Sequence, residues 1–102
     1  MFSQESDILR KLRLIEGLKA DLLTEVGKLY QAMARNKREL MGDALAQVII
    51  LAFVLGRRLG IDYPEMDEIV NAKLGHNIKQ ETEAERWFGD MSEYRRYLRQ
   101  KR

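Results

Sequence analysis

The chain has 102 residues, 45% hydrophobic and 33% charged, with a formal net charge of +2. That length points to one domain, residues 1–102, with a modest core that oligomerisation often supplements; the absence of cysteine excludes disulfides and thiolate metal sites and fits a reducing, cytoplasmic setting. So small a net charge does not by itself imply a nucleic-acid or membrane surface, and the polar, acidic start Met1-Phe2-Ser3-Gln4-Glu5-Ser6-Asp7 lacks the order of a signal peptide, so none is expected.

Apolar spacing predicts helices almost throughout, with no period-two runs. A first segment, 6–16, carries Ile8, Leu9, Leu12 and Ile15 on one face, and Gly17 is expected to bend or interrupt it. A second, 18–35, has the stripe Leu18, Leu22, Val26, Leu29 and Met33, widened by Leu23 and Tyr30. The turn falls on Asn36-Lys37-Arg38.

The third segment, 39–59, reads ALAQVIILAFVL from Ala44 to Leu55, with Gln47 its only polar residue. A helix apolar all round must be buried on all sides. The run is too short and interrupted for the roughly 20 apolar residues of a bilayer span, so no membrane association is expected. Three amphipathic neighbours from one small chain cannot cover it. Part of it is therefore expected to pack against a second subunit, making a homo-oligomer, either dimer or tetramer.

Gly60 is a helix stop and Pro64 suits a first helical turn. A fourth segment, 64–75, presents Met66, Ile69, Val70, Ala72 and Leu74, with either Gly75-His76-Asn77 as its end or Ile78 extending its face. A short stretch, 82–88, precedes a terminal helix, 92–99, that carries Tyr94, Tyr97 and Leu98. The fold class expected is an all-α helical bundle completed by dimerisation.

For chemistry, there is no glycine-rich phosphate loop and no dinucleotide fingerprint. His76, the sole histidine, reads as a solvated or capping residue. Carboxylates remain. Asp21 and Glu25 lie four apart, with Glu25 at the border of the buried stripe, where a side chain reaches into a groove between helices. Asp43 and Gln47 open the apolar helix, and Gln47 needs a polar partner there. The plain reading of Glu25 with Lys28 is an intrahelical ion pair worth about 0.3 kcal/mol. Arg95, Arg96, Arg99, Lys101 and Arg102 read first as cations complementing a helix C-terminus. Salt-sensitive RNA or DNA binding is the lesser reading.

Leu23-Thr24-Glu25-Val26-Gly27-Lys28-Leu29 and Ala44-Leu45-Ala46-Gln47-Val48-Ile49, continued through Arg57-Arg58-Leu59-Gly60-Ile61-Asp62, resemble the first two helices of the MazG nucleotide pyrophosphohydrolases. Those carry an E-E-x-x-E run and then E-L-A-D-V. Glu85-Arg86-Trp87-Phe88-Gly89-Asp90 and Tyr97-Leu98-Arg99 are similar to the tail of the short MazG-like group. The resemblance implies a Mg²⁺ ion on acidic side chains that holds a nucleoside triphosphate. Water then cleaves between the α- and β-phosphates, giving the monophosphate and pyrophosphate.

Carried over by residue, the paired glutamates fall on Thr24 and Glu25, the third on Lys28, and the E-x-x-D pair on Ala44 and Gln47. Glu25 is then the catalytic and metal-binding carboxylate, and Asp43, one residue early, its stand-in partner on the metal. Lys73 and Asn77 match the region where the family places a phosphate-contacting lysine and asparagine, while Lys28, a cation where the family binds its metal, is read as contacting phosphate directly, at a different site. So depleted a set implies weak or no catalysis. The alternative is an active Mg²⁺-dependent nucleoside triphosphate pyrophosphohydrolase.

Overall fold

The computed structural model describes residues 2–101, and the side chains of 6–101. Met1 and Arg102, the ends of the polar leading stretch and of the basic run, lie outside the described residues. Five helices follow in order among them: α1 Phe2–Ala34, α2 Arg38–Arg58, α3 Tyr63–Lys79, α4 Glu83–Phe88 and α5 Asp90–Gln100. No strand occurs among the described residues, so the chain is all-α, as its periodicity predicts. The contacts gather into two compact units, one ending at Tyr63 and one beginning at Pro64.

Two expected helix breaks are absent. Gly17 lies inside one continuous 33-residue α1, and Gly75 lies inside α3. A single glycine costs a helix only about 1 kcal/mol. Neighbours such as Leu14, Glu16, Leu18, Lys19 and Ala20 are good helix formers and offset it. A glycine ends a helix only where the backbone is also free to turn left-handed.

Of the helices that end in a left-handed residue, three do so by the same device. At each C-terminus a left-handed residue sends its own N–H, and that of the next residue, back to the last turn of the helix, the Schellman arrangement. Asn36 (φ 53°) closes α1, with Lys37 N–H donating to the Ala32 carbonyl at 3.0 Å and Asn36 N–H to Met33 at 3.1 Å. Gly60 (φ 95°) closes α2, with Ile61 N–H on Gly56 at 2.8 Å and Gly60 N–H on Arg57 at 3.1 Å. Glu81 (φ 50°) closes α3, with Thr82 N–H on Asn77 at 3.3 Å and Glu81 N–H on Ile78 at 3.1 Å. Asparagine and glycine tolerate that conformation; glutamate adopts it at a cost.

The first unit is a hairpin of α1 and α2, which lie along each other. The short link between them makes the two antiparallel. The shielded residues of α1 are Ile15, Leu18, Leu22, Glu25, Val26, Leu29 and Ala32. Apart from Val26 they step by three and four, the seam of a coiled coil. On α2 the facing set is Met41, Ala44, Val48, Leu51 and Leu55. Leu18, Ala32, Ala44 and Leu51 are the buried hydrophobic residues of this hairpin.

The sequence stripe is therefore right along its central line and wrong in its widening and at its end. Leu23 is 75% and Tyr30 70% exposed, and Met33 is 57% exposed while the small Ala32 is inside. Beyond the hairpin, Tyr63 stacks at a tilt on Phe53, centroids 6.4 Å apart, and receives the Arg57 guanidinium 5.3 Å above its ring. Both contacts lie within the first unit.

The expectation that α2 is covered on all sides fails within one chain. Leu45, Ile49 and Ile50 stay 47–60% exposed, because a two-helix hairpin buries only the side facing its partner. Nor is α2 too short for a bilayer. With 21 residues and a mean hydropathy of 1.7 over its most apolar 18-residue stretch, it reaches that length and composition, a property it shares with core helices. The charged residues at its ends extend the helix: Arg38, Glu39 and Asp43 at one, Arg57 and Arg58 at the other.

Candidate functional site

The hairpin contains a cleft of about 440 Å³ near its closed end, lined along α1 by Glu25, Lys28, Gln31, Ala32 and Arg35, and along α2 by Leu40, Asp43, Ala44 and Gln47. Its origin is visible in the seam. Ala32 and Ala44 occupy interior positions and are each only 3% exposed. Two methyl groups stand where larger side chains would fill the interface, so the helices leave a hollow between them. Around that floor, steps of three and four bring the polar residues of each helix to the same side.

Four residues singled out by sequence, Glu25, Lys28, Asp43 and Gln47, thus come together on one cleft. Glu25 is the most sheltered of the charged pair, its side chain 18% exposed against 60% for Lys28. The Lys28 ammonium donates to Glu25 Oε1 at 3.3 Å, so that carboxylate is matched by a cation within its own helix. Asp43 and Gln47 are exposed and stand one turn apart at the start of α2. Gln47 is thus a cleft-wall amide at the edge of the seam rather than a core residue.

Sequence reasoning missed Gln31 and Arg35. Gln31 continues the side of Glu25 and Lys28 along α1 and Arg35 follows in the turn after Ala34, a signal present in the spacing 25, 28, 31, 35 but passed over because only the carboxylates and their partners were read for chemistry. Arg35 adds a guanidinium to the cleft, whose charged lining is Glu25, Asp43, Lys28 and Arg35.

Lys73 and Asn77 belong to α3 in the second unit. They stand one turn apart, Lys73 exposed and Asn77 half-buried. The Asn77 main-chain carbonyl is engaged by Thr82 N–H in the cap of α3. His76 is exposed, in line with its plain reading.

The second unit contains one further polar arrangement. Glu85 of α4 accepts hydrogen bonds from the Ser92 amide at 2.9 Å and from the Ser92 hydroxyl. Those bonds, first the hydroxyl and then the amides of Ser92 and Met91, hold its carboxyl below the usual range, with Arg95 adding to them. A side chain of one helix thereby satisfies free N–H groups in the first turn of the next. Gly89, left-handed at φ 68°, makes the corner between them.

Among the described residues no group of three or more histidine, aspartate or glutamate side chains is placed to hold a metal ion. A family model described as the MazG-like family matches residues 8–91. No curated protein matches the chain, and no solved structure does.

Proposed function

We propose, from the premise that this chain belongs to the MazG-like family, that it is a relative of the nucleoside triphosphate pyrophosphohydrolases with weak or no catalysis. Its α1–α2 cleft is retained for binding. The observation that carries this reading is the pairing of Glu25 with Lys28 at 3.3 Å inside a cleft whose only other carboxylate is Asp43.

The donor set does not suit Mg²⁺. That ion wants several hard oxygen ligands in near-octahedral order and gives up water reluctantly. Two carboxylates, one of them already matched by an ammonium, and an amide at Gln47 offer too little to offset that dehydration. A cation arriving beside Glu25 would also meet the charges of Lys28 and Arg35. The same two cations suit the phosphates of a nucleotide, and Gln31 and Gln47 offer neutral amides to its sugar or base. Lys73 and Asn77 remain assigned to phosphate only through the family resemblance.

The second reading, an active Mg²⁺-dependent pyrophosphohydrolase, is favoured by one fact: Glu25 and Asp43, on different helices, do line the same cleft. Pyrophosphate release from a panel of ribo- and deoxyribonucleoside triphosphates, with Mg²⁺ or Mn²⁺, decides between the two. The expected result is no turnover above buffer, with nucleotide binding detected by calorimetry in EDTA. Metal-dependent turnover that disappears in Glu25→Ala would overturn it and establish the second reading.

We further assign the chain as a cytoplasmic homo-oligomer, dimer or tetramer. The support is the row of exposed aliphatic side chains Leu45, Ile49 and Ile50 on α2, which water contacts unfavourably in an isolated hairpin. Sedimentation equilibrium at micromolar concentration tests it, a monomeric mass being the refuting result.

A further inference from the structure

The α4–α5 corner has an unusual surface. Its exposed large hydrophobic side chains are Trp87 (62%), Phe88 (73%), Tyr94 (47%) and Tyr97 (56%), every one of them aromatic. The aliphatic residues of α5, Met91 and Leu98, are half-buried instead. At about 100° per residue, Tyr94, Tyr97 and Lys101 fall within an arc of about 60° on one side of α5. The Lys101 ammonium sits 5.6 Å from the centroid of the Tyr97 ring. Arg95 and Arg96 flank this stripe, one on either side. The carboxylates of α5, Asp90 and Glu93, stay in its first turn. The later turns, with Arg95, Arg96, Arg99 and Lys101, are wholly basic in their charged residues.

From this juxtaposition we infer that the α4–α5 corner binds single-stranded nucleic acid, a role beyond the cleft described above. The ligand class follows from the chemistry of the surface. Flat rings in water offer a stacking face to any base, and neighbouring cations take up the phosphates between bases. Tyrosines three apart on a helix have Cβ atoms roughly 5–6 Å apart, the scale of successive nucleotides. A duplex hides its base faces and offers only phosphate, so it engages the cations and leaves the rings unused. A lipid surface would favour exposed aliphatic side chains beside the aromatic ones, and this corner keeps its aliphatic residues shielded. The sequence alone shows the basic run; that the aromatic residues among it are turned outward is visible only in the fold.

The test is fluorescence anisotropy of a labelled fifteen-nucleotide oligo(dT), and of oligo(U), titrated with the full-length protein at 50 and 200 mM salt. Trp87 is the only tryptophan, so quenching of protein emission reports contact at this corner. Binding of both single strands is expected, with emission quenched and affinity at least tenfold above that for a duplex of equal length. Three or four phosphate contacts imply a slope of log K against log salt of about −2 to −3. The variant Tyr94→Ala/Tyr97→Ala, which loses two stacking rings, should bind at least about thirty-fold more weakly. Tyr94→Phe/Tyr97→Phe should bind like the natural protein, since it keeps both rings. Circular dichroism establishes that each variant is folded. No binding at 50 mM salt, equal affinity for single strand and duplex, or binding untouched by loss of both rings would each overturn the inference. So would quenching of Trp87 by anionic phospholipid vesicles without any by oligonucleotide, which would make the corner a membrane contact.

Discussion

Leu51→Ala and Ile49→Ala form a matched pair that tests the hairpin seam. Leu51 is 5% exposed and Ile49 is 60% exposed, two residues apart on the same helix. Both substitutions remove three carbons. At about 0.8 kcal/mol for each buried methylene, Leu51→Ala loses about 2.4 kcal/mol of transfer energy. The hollow left behind α1 raises the total to about 3–4 kcal/mol. Ile49 keeps more than half its surface in water within one chain, so the same deletion there costs about 1 kcal/mol. Urea unfolding followed by far-ultraviolet circular dichroism, at 2 and 50 μM protein, measures both. Leu51→Ala should lower stability by about the same amount at either concentration. Ile49→Ala should cost little at 2 μM and more at 50 μM, where a second chain covers it. A loss below about 1 kcal/mol for Leu51→Ala, or equal losses for the two variants at low concentration, would refute the assignment of the seam.

Other outcomes are expected elsewhere. Glu81 is left-handed at φ 50°, so Glu81→Gly should stabilise the protein by about 0.5–1 kcal/mol in urea unfolding. Gly60→Ala, at φ 95° in the equivalent place on α2, should destabilise it by about 1 kcal/mol. The Glu85 carboxyl is held below its ordinary value of 4.5 when folded, so the folded corner binds fewer protons than the unfolded one. Its stabilising effect is complete above that ordinary value and is lost as pH falls through the lowered one. Acid titration of Trp87 emission should show a transition below pH 4.5 that Glu85→Gln lacks. Lys28→Ala, which frees the Glu25 carboxylate, should weaken nucleotide binding in EDTA, measured by calorimetry, without lowering thermal stability by more than about 0.5 kcal/mol.

Helical class and the central buried line of α1 were legible because leucine, valine and isoleucine announce a face by their spacing. The ends of that face were not. Ala32 carries little hydrophobic signal, yet smallness is what places it at the interface, while Met33 carries a strong signal and stays in water. The glycines misled for a related reason. Residue type names a possible stop, but only the hydrogen bonds of the closing turn decide whether it is used; Gly60 makes them, whereas Gly17 and Gly75 continue their helices. At the cleft, the spacing from Glu25 to Lys28 and from Asp43 to Gln47 identified a shared side on each helix. That both sides face one hollow depended on Ala32 and Ala44, which pattern alone does not distinguish from filler.

The unequal helices of the hairpin have a consequence for time rather than energy. At 1.5 Å per residue α1 is about 50 Å long and α2 about 31 Å, so the leading dozen residues of α1 run past the end of their partner. Residues 6–14 are all exposed, Ile8, Leu9, Leu12 and Leu14 among them. An unaccompanied stretch of that length is a marginal helix in water and opens and closes far more often than the seam behind it. Its amide protons should therefore exchange within seconds while those near Leu18 and Leu22 persist. Whatever settles on that overhang, a second chain included, will be seen first as a slowing of that local clock.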